Sequence, residues 1–256
     1  MTVCSTTTDT EIVKGIRNQQ YQVYFQPKVS RNQLETVGVE ALIRLKVGNR
    51  ILTPNLFFSF LTAEDSRKLQ NYLIQEIVML LNTNPFFEKR TIAVNIPSSD
   101  VTDDTYIEGL CHYLQAHLHA PERLELEIVE RPEIQNLERA HQNLVKLKAL
   151  GIKISLDDFG QGSCSLQYLH SLPVDCLKID QAFIRSTELK AMKIIESTIK
   201  LAHSLNLSVV AEGVETLTQL KQVHELGCDV FQGYLFDCPL SLRELTTKTR
   251  KSARFS

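Results

Sequence analysis

The strongest constraint on this chain is a rhythm. Short apolar or alternating runs recur at about 21–26, 37–44, 91–96, 124–129, 153–157, 176–180, 208–212 and 230–235 along its 256 residues. Between the later runs lie stretches with helical spacing. "NLERAHQNLVKLKALG" ends in a glycine stop at Gly151, and "ELKAMKIIESTIKLAHSLN" and "TLTQLKQVHELG" follow. Eight strands alternating with helices predict an α/β protein built as a (β/α)8 barrel, with a doubly wound open sheet as the alternative. The first two runs break the rule, because only "SRNQLET" separates them. That is too short for a helical crossover, so an antiparallel hairpin is expected as the first strand pair. No linker, repeat or low-complexity tract interrupts the chain, so one domain is expected.

Each run has two phases. Leu124, Leu126 and Ile128 oppose Glu125 and Glu127; Ile154 and Leu156 oppose Ser155 and Asp157. Leu177 and Ile179 oppose Cys176, Lys178 and Asp180, while Val209 and Ala211 oppose Ser208, Val210 and Glu212. Val94 and Ile96 oppose Ala93 and Asn95. The bulky phase is expected under the helices and the small or polar phase inside the barrel. The polar residues then gather near the C-terminal strand ends, where barrel enzymes place their chemistry. Glu40 in "VGVEALIR" and Gln232 in "VFQGYLF" fit the same scheme.

The converging set is Glu40, Asn95, Glu127, Asp157, Asp158, Lys178, Glu212 and Gln232. One carboxylate alone would be a salt-bridged strand end. Five acids at one mouth, with Lys178 as the only cation expected nearby, cannot all stay ionised without further positive charge. Oxygen donors without a cysteine or histidine cluster favour Mg²⁺ or Mn²⁺ over zinc. Two such ions, about 3.5–4 Å apart and sharing one carboxylate, are a common solution for phosphodiester cleavage. The adjacent pair Asp157 and Asp158 in "ISLDDFGQGSCSL" is thus expected to face a metal pair.

Composition narrows the alternatives. A net charge of −2 gives no global basic field, which argues against bulk capture of nucleic acid. No apolar run approaches the roughly 18 residues that span a bilayer, and "MTVCSTTTDTEIVKG" lacks the apolar core of a signal peptide. Six cysteines without CxxC spacing suit reduced thiols. A soluble cytoplasmic protein without a membrane or nucleic-acid partner is expected. The histidines of "HYLQAHLHA" (112–120) read as a solvated helix face, and "KTRKSARFS" as a solvated basic tail.

The ordered motifs resemble one family closely. Glu40-Ala41-Leu42 in "GVEALIR" is the name-giving triplet of the EAL domain, a phosphodiesterase of the bacterial messenger cyclic di-GMP. "FQP" at 25–27, "VNIP" at 94–97, "LELEIVE" at 124–130 and "LDDFGQG" at 156–162 continue the resemblance. "LPVDCLKID", "VVAEGVET" and "LGCDVFQGYLFDCPL" complete it in order. A lone triplet would carry nothing; the ordered set is specific. It covers residues 16–245, leaving 1–15 as an N-terminal extension and 246–256 as a basic tail.

The resemblance implies a modified (β/α)8 barrel with an antiparallel first pair, in agreement with the hairpin reading. It implies hydrolysis of cyclic di-GMP to linear 5′-pGpG with two divalent ions, in signalling that governs biofilm and motility. Glu40, Asn95, Glu127 and Asp157 match the family's ligands for one ion; Asp157 bridges to a second, also held by Asp158 and Glu212. Lys178 matches the lysine that orients or deprotonates the attacking water, and Glu215 and Gln232 match further catalytic positions. A Schiff base on Lys178 is disfavoured, because an amine ringed by carboxylates keeps its proton. Gln26, Leu42, Arg44, Asp180 and Pro239 match positions that contact the dinucleotide, and the Arg44 guanidinium suits a phosphate oxygen.

Glu130 matches the glutamate that anchors the loop after DFG, which links the metal site to the family's dimer interface. A homodimer is therefore implied, and a protein partner is compatible. The departures fall around that loop: Gln161, Gly162, Ser163 and Cys164 replace the usual Thr-Gly-Tyr-Ser. Val129 replaces a threonine, Leu45 a tryptophan, Cys238 a basic residue, and "KVGNRILTP" is short. Every metal ligand remains. An active phosphodiesterase is the reading; a silent cyclic di-GMP receptor and a protein-binding regulator are the alternatives.

Overall fold

The computed structural model of the protein describes residues 8–129, 134–160 and 165–252. They divide into two compact units that interleave in sequence: Gln26–Glu40 with Val78–Cys238, and Met1–Phe25 with Ala41–Ile77 and Pro239–Ser256. Because the chain passes between units without a linker, no compositional break marks the division.

Ten strands are formed: β1 (Tyr21–Ser30), β2 (Thr36–Val47), β3 (Arg50–Leu52), β4 (Thr91–Ile96), β5 (Leu124–Val129), β6 (Lys153–Phe159), β7 (Cys176–Ile179), β8 (Ser208–Ala211), β9 (Val230–Phe231) and β10 (Leu240–Ser241). In the larger unit eight of them close a ring, in the order β1-β9-β8-β7-β6-β5-β4-β2 with β2 returning to β1. From β4 to β9 all pairings are parallel. β1 runs antiparallel to β9 and turns directly into β2, with Ser30 N–H donating to the Glu35 carbonyl at 2.9 Å. Only β1 is therefore reversed in the ring, as the short connection between the first two strands predicts.

The two strand phases separate as alternation requires. Leu124, Leu126, Ile128, Ile154, Leu156, Leu177 and Val209 are fully buried. Helices supply their apolar faces: Ile107, Leu110 and Leu114 from Asp104–His117, and Ala140, Leu144 and Leu147 from Leu137–Ala149. Ile195, Ile199 and Ala202 come from Leu189–Ser204. Their starts are capped, Asp103 accepting from Tyr106 N–H and Asn136 from Arg139 N–H, each at 3.0 Å. Gly151, at φ 93°, follows the helix Leu137–Ala149 and stops it, as expected. His112, His117 and His119 are exposed, matching the solvated-face reading.

The smaller unit has its own core of Ile12, Ile16, Tyr21, Ile43, Leu45, Val47, Leu52, Phe57 and Leu69. Its first helix, Asp9–Arg17, starts on a capping box between Thr8 and Glu11 and crosses the boundary drawn at residue 15. The short segment after Leu45 closes a hairpin of β2 and β3, with Leu45 opposite Leu52. β10 pairs with β1 at Tyr24 and Phe25. Strands of two and three residues carry too little pattern to be seen in a sequence. Among the described residues, no helix is long and apolar enough to cross a membrane.

Candidate active site

The site is built on the ends of the larger unit's strands. Lys178, on β7, is fully buried. Its Nζ lies 2.8 Å from Glu127, 2.9 Å from Asp157, 2.8 Å from Glu212 and 3.8 Å from Glu40. Glu40 is held from both sides: Asn95 Nδ2 donates to one oxygen at 2.9 Å and Gln232 Nε2 to the other at 2.6 Å. Gln232 Nε2 also reaches Gln26 Oε1 at 3.3 Å, and Gln26 donates to the Asp237 carbonyl at 3.4 Å. The structure thus gathers four acids of the converging set on one lysine, with Asn95 and Gln232 joined to them through Glu40.

Alternation alone would send Asp157 inward and Asp158 outward. A bulge prevents this: β6 pairs with β7 at Leu156–Leu177 and next at Phe159–Ile179, so β6 spends one extra residue. Asp158 takes a left-handed φ of 55°, rare for a residue other than glycine. Oxygens of Asp157, Asp158 and Glu212 then lie within 4.8 Å of one another. Glycine keeps the adjacent backbone in place. Gly213, next to Glu212, has φ 67°, and a Cβ there would stand 2.4 Å from Gln181 Cβ. At Gly233, next to Gln232, a Cβ would lie 2.2 Å from the Val214 carbonyl oxygen.

Burial works against the charged form of every member. It raises Glu40, Asp157 and Glu212 above the ordinary carboxylate range in spite of Lys178. It also lifts Asp158 to about 6, with the Asp157 charge adding to the effect. Burial would lower Lys178, but Asp157, Glu127, Glu212 and Glu40 outweigh it and hold the ammonium well above its usual value. Glu127 is the exception among the acids. Burial would raise it, yet two ammonium groups hold it at about 2.

The second of those groups corrects an expectation. Lys178 is not the only cation near the acids, for Lys28 on β1 is also buried and lies 2.6 Å from Glu127 and 3.1 Å from Glu125. Glu125 takes a further hydrogen bond from Ser155 Oγ. Gln26 and Lys28 sit two apart on one strand, so the alternation that places one inside also places the other. Arg185 was missed as well. It lines the mouth with Tyr234 and Glu215, and its Nη2 pairs with Glu215 at 2.5 Å. These side chains, with Gln26, Glu40, Glu212 and Gln232, surround a cavity of about 180 Å³.

Asp180 is buried at the end of β7 and caps the helix Gln181–Arg185, accepting from Ala182 N–H at 2.7 Å. It faces Asp158 closely enough to help raise it. Leu42, Arg44 and Pro239 belong to the smaller unit, where Arg44 donates to the Ile43 carbonyl at 2.8 Å and stands 5.7 Å over the Tyr24 ring. Glu130 and the loop residues 161–164 lie outside the described residues.

The donor set suits hard divalent cations. It is all carboxylate and amide oxygen, and Gln232 Oε1 is buried without a hydrogen-bond partner among the described residues. The raised carboxylates would recover their charge beside added positive charge.

Comparison with known proteins agrees. The sequence model of the EAL domain matches residues 9–239. The cyclic di-GMP phosphodiesterase NbdA of Pseudomonas aeruginosa is 33% identical over 241 residues, 92% of this chain; the chain spans only 31% of NbdA. An EAL domain protein of Listeria monocytogenes EGD-e superposes with a TM-score of 0.90 at 39% identity, covering 96% of this chain and 98% of that one. The manganese and cyclic di-GMP complex of BlrP1 from Klebsiella pneumoniae superposes at 0.77 with 27% identity, covering 87% of this chain and 56% of that one.

Proposed function

Because the chain belongs to the EAL domain family, we propose that it is a metal-dependent phosphodiesterase that hydrolyses cyclic di-GMP to linear 5′-pGpG. The observation that carries this reading is the buried Lys178 ammonium shared by Glu40, Glu127, Asp157 and Glu212, with Asp158 folded in beside them.

Glu40, Asn95, Glu127 and Asp157 would hold one Mg²⁺ or Mn²⁺ ion, and Asp157, Asp158 and Glu212 a second. When bound, the ions would supply a nucleophile active at neutral pH and offset charge on the phosphate oxygens. The chain's own residues do the rest. Asn95 and Gln232 fix the two oxygens of Glu40, so its orientation is set before anything binds. Lys178 carries its proton and therefore acts as a donor, orienting the attacking water and facing the developing negative charge. Water oxygen bonds to phosphorus, the P–O3′ bond breaks, and the ribose 3′-oxygen leaves with a proton. Glu215 completes the mouth from its pairing with Arg185. Gln26, Leu42, Arg44, Asp180 and Pro239 are proposed to contact the dinucleotide, on the strength of the motif match.

The test is direct: incubate the pure protein with cyclic di-GMP and Mg²⁺ or Mn²⁺ and follow pGpG by chromatography. Tight binding without product would instead favour a receptor. The family resemblance also supports a homodimer, which sedimentation would check.

A further inference from the structure

One buried cation has no part in the reaction above. Lys28 Nζ takes Oε1 of Glu127 at 2.6 Å, while Lys178 Nζ takes Oε2 at 2.8 Å. The two oxygens of one carboxylate are thus divided between two ammonium groups. The oxygen left to Lys178 shares that ammonium with Asp157 and Glu212. Glu127 is fully buried, so bulk water does not compete for either oxygen.

We propose that Lys28 is a positioning residue that fixes Glu127 as a one-oxygen metal ligand, by holding Oε1 and leaving Oε2 on the ammonium that Glu40 and Asp157 also share. The proposal rests on the reading of Glu127 as a metal ligand. Without Lys28 the carboxylate is free to turn about its last bond and offer either oxygen, or both, at different distances. Groups that hydrogen-bond a ligating carboxylate from outside set its orientation in this way. A purely structural ion pair is the competing role, since Lys28 also lies 3.1 Å from Glu125. The shorter contact is the one to Glu127.

Four proteins separate the two roles: the parent, Lys28→Met, Glu125→Gln and the double variant. Each is stripped with EDTA, titrated with Mn²⁺ by calorimetry and melted without metal. Lys28→Met is expected to weaken Mn²⁺ binding by about 10–100-fold, whereas Glu125→Gln leaves it unchanged. The double variant should recover melting temperature lost by Lys28→Met, because one uncompensated buried carboxylate is gone, yet keep the weakened Mn²⁺ affinity. Parent affinity in a folded Lys28→Met, or affinity recovering with stability in the double variant, would overturn the proposal. A parent that binds Mn²⁺ without cleaving cyclic di-GMP sinks the phosphodiesterase reading alone, since Lys28 is judged on affinity. A parent that binds no Mn²⁺ overturns both.

Discussion

The main-chain N–H of Asp158 donates to the carboxylate of its immediate neighbour Asp157 at 2.9 Å. The left-handed turn that brings the second carboxylate into the site therefore also anchors the first. Backbone in such a region costs about 1–3 kcal/mol and persists only where its surroundings impose it.

Asp158 should leave a signature in the metal-free protein. The folded chain holds its proton up to about pH 6, whereas the unfolded chain releases it near the ordinary aspartate value of 3.8. Folding takes up a proton in that window, so stability falls as pH rises from 3.8 toward 6. Chemical denaturation in EDTA across this range should show a shallower decline in Asp158→Asn. An identical slope in both proteins would refute the shift.

Lys178→Ala is expected to keep nucleotide binding while losing about 10²–10³-fold in turnover, the range for removing one donor aimed at developing charge. Removing it also leaves four carboxylates without their shared cation, which should cost about 3–5 kcal/mol in EDTA. Added Mn²⁺ should then stabilise the variant more than the parent. Melting curves with and without metal, beside single-turnover assays, test both halves.

Glu40→Ala should behave differently, losing both turnover and metal-supported nucleotide binding, because Asn95 and Gln232 lose their common partner. Calorimetry with cyclic di-GMP and Ca²⁺ would reveal it. Identical binding by the alanine variants at 40 and 178 would remove the division of roles.

Turnover should require Mg²⁺ or Mn²⁺, vanish in EDTA, and be inhibited by Ca²⁺. Calcium prefers more ligands at longer distances and would spoil the spacing of an oxygen-only site. Product formation undiminished by EDTA would rule the mechanism out.

Gly213→Ala should destabilise the fold by about 1–3 kcal/mol, since φ is 67° and the new methyl would press on Gln181. The strain falls next to Glu212. The Mn²⁺ concentration for half-maximal activity should therefore rise along with the loss of melting temperature.

Much of this was legible in the residues. Period-two alternation in "LELEIVE" and "KISLDD" separated the apolar phase from the acids, because each strand is buried on both sides yet in chemically different company. The hairpin followed from connection length alone. The inward turn of Asp158 was not derivable from alternation, because it depends on a bulge set by pairing with β7. Lys28 escaped because its partners are 97 and 99 residues away, and one lysine in an apolar run carries no sign of a distant carboxylate. The sequence signal that could have found it was its spacing from Gln26.

The reversal of β1 also decides where this barrel can be cut and rejoined. Since β1 descends while β2 and the other ring strands ascend, the turn between them lies at the end of the barrel opposite the chemistry, beside Asp229 at the entrance to β9. Asn32, Gln33, Leu34 and Glu35 are exposed there. Peptide bonds in that turn can be opened, or a reporter domain inserted, without crossing a loop that carries a ligand. A version with a reporter domain inserted after Gln33 would be judged by whether metal-dependent melting persists.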